Sequence, residues 1–147
     1  MKNRNRSQVI GIAPAGPDHQ VVTIKSERED NRVYRRKPCS DCPWRKDAKI
    51  GEFPVEAYQH SARTAYDMAQ ETFACHQSGT DKPATCAGFL LRGAAHNLSV
   101  RLGLMEGKID LHEVSDDGIE LYENYREMAI ANGVDPDDER LKPCRDD

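Results

Sequence analysis

A chain of 147 residues is one domain's length, enough to bury roughly 70% of its unfolded surface around a single core. Apolar residues make up 37% and charged residues 31%; no run approaches the ~20 apolar residues of a membrane span, and the apolar part of MKNRNRSQVIGIAPAG is too short and interrupted for a signal peptide, so a cytoplasmic setting is expected. The net charge of −4 is spread as +5 over residues 1–37, zero over 38–101 and −9 over 102–147, which argues against a chain that binds nucleic acid along its whole surface.

Residues 1–37 read as a basic N-terminal arm, either partly flexible or a short hairpin. Its apolar stretches, 9–12 and 21–24, suit two strands around a turn-rich 13–18, and 26–32 suits a solvated linker. Residues 38–133 read as a helical domain. Phe53-Pro54-Val55-Glu56 is a helix start, and Val55, Tyr58, Ala62, Ala65, Tyr66, Ala69 and Phe73 recur at helical steps, predicting a helix over 54–72. Residues 79–83 read as a loop. A second helix is predicted over 85–104, with Phe89, Leu90, Ala94, Leu98, Val100, Leu102 and Met105 as its apolar set and Gly107 as its stop. A third is predicted to begin near Asp116 and Asp117 and to end at Gly133, and residues 134–147 read as an acidic polar tail that does not pack. The expected fold is mainly α, about three helices, with an irregular cysteine-bearing N-terminal half in a small metal-stapled domain.

The five cysteines are the informative residues. Cys39-Ser40-Asp41-Cys42 is a C-x2-C knuckle, whose short loop lets two sulfurs face one metal. Cys75 falls at the end of the first predicted helix and Cys86 at the start of the second, so an α-hairpin would bring both thiols to one end, with the knuckle folded over it. Structural zinc adds roughly 10–16 kcal/mol of apparent stabilisation in small domains, enough to replace missing apolar burial. Four thiolates around Zn2+ carry a formal charge of −2, which Arg35, Arg36, Lys37, Arg45 and Lys46 would offset, and a helix dipole would favour the Cys86 thiolate. Competing readings are unrelated core thiols and a redox or disulfide pair, although no β-α-β pattern surrounds the knuckle.

Zinc leads as the metal. The alternative is a [4Fe–4S] cluster, suggested by Pro43 directly after Cys42. His76 is a candidate ligand in either case and a plainer surface or supporting residue otherwise. Cys144, in the polar tail, is expected to be an exposed thiol outside the ligand set.

Lys37-Pro38-Cys39-x-x-Cys42-Pro43-Trp44-Arg45, Phe73-x-Cys75-His76 and Cys86-Ala87-Gly88-Phe89-Leu90 together resemble an uncharacterised family found in bacteria and bacteriophages. The resemblance spans about residues 37–110. It implies that the four cysteines act as a unit and that the setting is a bacterial or phage-infected cytoplasm, and it implies no activity.

Trp44 has two readings: a stacking residue on the basic strip, or, the stronger, a shield between metal and water. Asn97 is a candidate to orient the knuckle by hydrogen-bonding its backbone, and His60 to pair with Glu56 one turn back. Catalytic motifs are lacking: there is no G-x-S-x-G, H-E-x-x-H, Walker loop or G-x-G-x-x-G, and no H-x-E precedes Pro38-Cys39-Ser40-Asp41-Cys42 to complete a deaminase pattern.

The leading expectation is a non-enzymatic, zinc-stapled regulatory or interaction module. Arg35, Arg36, Lys37, Trp44, Arg45 and Lys46 would contact nucleic acid, or a host protein that processes it. An iron–sulfur protein in redox sensing or electron transfer is the first alternative, and a small zinc enzyme with an open position at Cys75-His76 the second.

Overall fold

The computed structural model describes residues 7–14, 20–26, 33–75 and 84–146, the first two of these segments by their backbone alone. Strands β1 (Ser7–Pro14) and β2 (Gln20–Ser26) pair antiparallel, in register from Ser7↔Ser26 to Pro14↔Gln20 with an irregularity between Val9 and Gly11. The hairpin form of the arm is therefore the one adopted. Of the solvated stretch expected at 26–32, Ser26 ends β2 and the rest lies outside the described residues, as does the loop expected at 79–83.

The body is mainly helical, built from four short helices: α1 (Val55–Ser61), α2 (Ala87–Arg92), α3 (Leu98–Met105) and α4 (Tyr125–Ala131). None is long and apolar enough to cross a membrane among the described residues. The long helices expected from periodicity are cut short, each for a local reason. After α1 the chain tightens into a 3-10 turn at Ala62–Ala65, and Met68 takes a left-handed φ of 62°. The following backbone then bonds to distant segments, Met68 N–H to the His96 carbonyl at 2.9 Å and Leu98 N–H to the Ala69 carbonyl at 2.7 Å. The second predicted helix breaks at residues 93–97, where Gly93 ends α2 and Asn97 caps α3. Of its apolar set, Phe89, Leu90, Ala94 and Val100 are buried, whereas Leu102 and Met105 face solvent.

The third predicted helix starts late because Asp116-Asp117-Gly118 forms a turn, with φ of 56° at Asp117 and 75° at Gly118. Residues 120–122 are instead held extended beside the knuckle: Lys46 N–H donates to the Glu120 carbonyl at 2.9 Å and Tyr122 N–H to the Trp44 carbonyl at 3.0 Å. Asn124 then caps α4, its side chain accepting from Glu127 N–H at 2.8 Å. Both predicted stops hold. After α3, Lys108 N–H reaches the Gly103 carbonyl and Gly107 N–H that of Leu104; after α4, Val134 and Gly133 N–H reach Ala129 and Ile130 in the same pattern. Each glycine occupies the left-handed position this ending requires.

One core unites these pieces, with Trp44, Phe89, Leu121, Tyr125, Met128 and Leu141 fully buried. The C-terminal segment is part of it, contrary to the expectation of an unpacked tail: Val134, Leu141 and Cys144 are all buried. Arg126 explains how so polar a segment docks. Its Nη2 donates to the carbonyls of Leu141 at 2.9 Å and Cys144 at 3.0 Å, and Nη1 pairs with Asp146. Tyr66 O–H adds a 2.5 Å bond to the Arg140 carbonyl.

Asn97 does not touch the knuckle. Its Nδ2 donates to the carbonyls of Glu71 at 2.7 Å and Thr64 at 3.1 Å, while Oδ1 accepts from Val100 N–H at 3.1 Å, so one buried amide ties α3 to the chain leaving α1. Asn97→Ala loses a cap of about 1 kcal/mol, the bond to the buried Thr64 carbonyl at about 1–3 kcal/mol and a part-buried bond to Glu71, giving an expected loss of ~2–4 kcal/mol. A lowered urea midpoint with an unchanged denaturant slope checks this. His60 likewise finds a different partner from the one expected: its ring meets Arg63 at 2.9 Å, not Glu56. Burial, then the Arg63 charge, lowers its pKa.

Candidate metal centre

The cysteines come together through Thr85. Arg35 N–H donates to the Thr85 carbonyl at 2.9 Å and Thr85 N–H to the Val33 carbonyl at 3.0 Å, a parallel bridge on one side. On the other, Cys75 N–H donates to the Ala84 carbonyl at 2.7 Å and Cys86 N–H to the Phe73 carbonyl at 2.8 Å, an antiparallel bridge. In that pairing Cys75 lies opposite Ala84 and Cys86 opposite Phe73, so both thiols share one face of the ribbon as diagonal neighbours. Cys75 therefore sits on an extended segment and not at a helix end. Cys86 is the residue before α2, as expected.

The knuckle approaches from the other direction. Cys42 N–H donates to the Cys39 carbonyl at 3.2 Å and Arg45 N–H to the Cys42 carbonyl at 3.1 Å, two successive turns that aim both thiols inward. Cys42 Sγ lies 3.5 Å from Cys86 Sγ. Cys75 and, more weakly, Cys42 act electrostatically on Cys39. Of the four predicted ligands the structure thus brings Cys42 and Cys86 into contact, with Cys75 on the same ribbon face as Cys86. Among the described residues no group of three or more His, Cys, Asp and Glu is placed so that it could hold a metal ion, and the cysteines form no disulfide. His76 lies outside the described residues.

Backbone donors act on three of the sulfurs. Backbone N–H groups of Trp44 and Gly88 point at Cys42, those of Gly88 and Phe89 at Cys86, and that of Asp41 at Cys39. Such donors stabilise a thiolate whether or not a metal is bound. In the chain alone, the hydrogen bond from Cys86 lowers the Cys42 pKa, and the same bond, with burial, raises that of Cys86. Burial, with the Cys75 charge and hydrogen bond, pushes Cys39 up to about 11.

Of the five basic residues expected to balance the thiolates, Arg45 does so. Its charge helps lower Cys42, its Nη1 donates to the Cys39 carbonyl at 3.2 Å, and Asp47 grips it with two bonds of 2.7 and 2.8 Å. Arg36 is paired with Glu113 at 3.0 Å and lies over the Tyr34 ring, and Lys46 faces Glu120 at 3.3 Å and Glu127 at 3.7 Å. Arg35 has a buried Nε without a hydrogen-bond partner among the described residues, and Lys37 is exposed.

Trp44 is fully buried and cannot serve as a surface contact. It packs edge-on to Phe73 (6.0 Å) and Tyr125 (5.8 Å) and tilted against Phe89 (6.4 Å), an apolar floor beneath the thiols. Two glycines make room for it. A Cβ at Gly88 would lie 2.5 Å from Trp44 Cβ, and one at Gly93 would lie 2.5 Å from Trp44 Cη2. Their sequence signal was available: glycines inside a predicted helix, here Gly88 and Gly93 among three over 85–104, imply a close neighbour. The role of Thr85 had no such signal.

Cys144 is buried and lies apart from this group, its Sγ 3.6 Å from the Ala62 carbonyl. Burial pushes its pKa up to about 11 from 9.0. Raised in the folded state, that pKa means stability is retained below pH 9 and declines as pH rises toward 11, where the unfolded thiol ionises and the folded one does not. At pH 8, Cys144 should resist alkylation in the native protein and react on unfolding, which peptide mapping checks.

A Cys42–Cys86 contact over the buried Trp44, between a knuckle, a short ribbon and a helix start, marks a small cysteine-bearing helical domain. Over residues 34–145 the chain matches the family of unknown function DUF6283, and it belongs to that family. No curated protein matches it, and no solved structure does.

Proposed function

We propose that Cys39, Cys42, Cys75 and Cys86 hold one zinc ion as the structural centre of a non-enzymatic regulatory or interaction module. The 3.5 Å separation of Cys42 and Cys86 sulfurs carries this reading. Two thiolates on one tetrahedral zinc, each at about 2.3 Å, stand about 3.8 Å apart, so this pair needs only slight widening. In a cubane each cysteine ligates a different iron, which spreads the sulfurs further. The N–H groups aimed at the sulfurs and the Arg45 charge support the same assignment, because both stabilise thiolates that a metal would share.

The test is metal content with an absorption spectrum, on protein purified without oxygen. Colourless protein with one zinc per chain is expected. Brown protein carrying iron and sulfide would replace zinc with a cluster, and neither metal would overturn the site.

The partner belongs to the same proposal: nucleic acid, or a protein that processes it, met on Arg35, Arg36, Lys37, Arg45 and Lys46 in a bacterial or phage-infected cytoplasm. Carboxylates already pair with three of these cations, so phosphate has to displace them and binding should weaken steeply with salt. Duplex binding that ignores salt would remove phosphate contact.

A further inference from the structure

Helix α3 is apolar on two sides. Val100 and Gly103 are buried against the core. Leu98, Leu102 and Met105 follow at steps of four and three on the opposite side, where Leu102 is exposed and Met105 is 82% exposed. An apolar stripe turned to solvent marks an interaction surface. The chain around it is acidic: residues 98–118 hold Glu106, Asp110, Glu113, Asp116 and Asp117 against Arg101 and Lys108.

The N-terminal arm has the complementary character. Its pairing sets Val9 opposite Ile24 and Ile12 opposite Val22, so four aliphatic positions share one face of a ribbon of only two strands. Such a ribbon is marginal in water until a surface covers that face. Lys2, Arg4 and Arg6 precede β1 with no acid among them. The arm also leaves the body beside the residues that follow α3: Asp110 N–H donates to the Tyr34 hydroxyl at 3.1 Å, and Ser115 N–H to the Arg36 carbonyl at 2.8 Å. From that root β2 passes beside α1 of its own chain, and the α3 stripe stays open.

We propose that α3 is a docking surface for a second copy of this chain, whose basic arm lays its aliphatic ribbon face along Leu98, Leu102 and Met105. The exchange is reciprocal, as in a two-fold dimer. Each arm trades its place beside α1 for the partner's α3. Apolar burial holds the ribbon down, and its cations meet the acids beyond α3. No cysteine takes part, so the contact is independent of the metal reading.

Sedimentation equilibrium of the full chain tests this. A concentration-dependent dimer is expected, weakening as salt rises. Met105→Glu alters a side chain that its own fold barely covers, so circular dichroism should stay native. Burying an unpaired charge should raise the dimer dissociation constant about tenfold or more. Arg4→Glu combined with Arg6→Glu should raise it about as much, because like charges then face each other across the contact. A chain that stays monomeric at high micromolar concentration would overturn the proposal, as would a dimer indifferent to both variants. A dimer lost with Met105→Glu but kept by the arm variant would remove the arm and give the stripe to another part of the second copy.

Discussion

Cys42→Ser is expected to leave a chain that neither retains zinc nor completes its fold at room temperature. Cys42 is fully buried, touches Cys86, and receives N–H bonds from Trp44 and Gly88. The thiolate these groups await is the one a serine hydroxyl replaces poorly, because an alkoxide does not form at neutral pH. If structural zinc contributes the ~10–16 kcal/mol apparent at such sites, its loss matches or exceeds the ~5–15 kcal/mol net stability of an ordinary domain. Unfolding, not mere weakening, is the outcome those magnitudes select. Cys144→Ser supplies the contrast: that thiol bonds only backbone carbonyls, so the variant should keep its metal and lose about 1 kcal/mol. Zinc stoichiometry and far-ultraviolet circular dichroism read both variants together. A Cys42→Ser protein with native zinc and native dichroism would end the metal proposal.

The second large effect is expected at the glycines beneath Trp44. Gly88→Ala places a methyl group 2.5 Å from Trp44 Cβ and 2.8 Å from Cγ, atoms rooted at the backbone that cannot swing away. Overpacking of this kind costs ~1–3 kcal/mol or more. Any shift also drags on Cys42, since Gly88 N–H and Trp44 N–H both bond its sulfur. Gly93→Ala meets the far end of the same ring, Cη2 at 2.5 Å and Cζ2 at 2.9 Å. The two clashes separate in a double-mutant cycle. Trp44→Phe removes the ring end that Gly93→Ala strikes, so the pair should be coupled by about 1 kcal/mol or more in the rescuing direction. Phenylalanine keeps Cβ and Cγ, so Gly88→Ala should gain no such relief. Denaturation midpoints measure both cycles, and equal rescue at the two positions would contradict this account of Trp44.

Much of this was open to reading from the sequence, and the failures share a cause. The turn from Cys39 to Cys42, the strands at 9–12 and 21–24, the helix start at Pro54 and the stops at Gly107 and Gly133 rest on local chemistry that survives folding unchanged. The break between α2 and α3 does not. Gly93 and Asn97 are each tolerated inside helices, and only the Trp44 ring and the carbonyls of Thr64 and Glu71 make them a boundary. The start of α4 moved for the same reason: residues 120–122 are better used against the knuckle than in a first helical turn. Burial of Leu141 and Cys144 depended on Arg126, whose guanidinium meets carbonyls that no composition rule could single out. Local signals singled out the cysteines, while the long-range backbone pairing around Thr85 decided where Cys75 and Cys86 lie.

The position of the single tryptophan gives the protein its own optical reporter. Excitation at the red edge of aromatic absorption selects Trp44 over the five tyrosines. The indole is dry and ringed by Phe73, Phe89 and Tyr125, so its native emission lies to the blue and moves red when the core opens. The ring also sits two residues from Cys42, within easy range of energy transfer to anything coloured there. A filled-shell zinc ion absorbs nothing in that window and leaves the emission bright, whereas an iron–sulfur chromophore would extinguish it. One emission spectrum therefore reports the state of the core and the kind of metal at its edge.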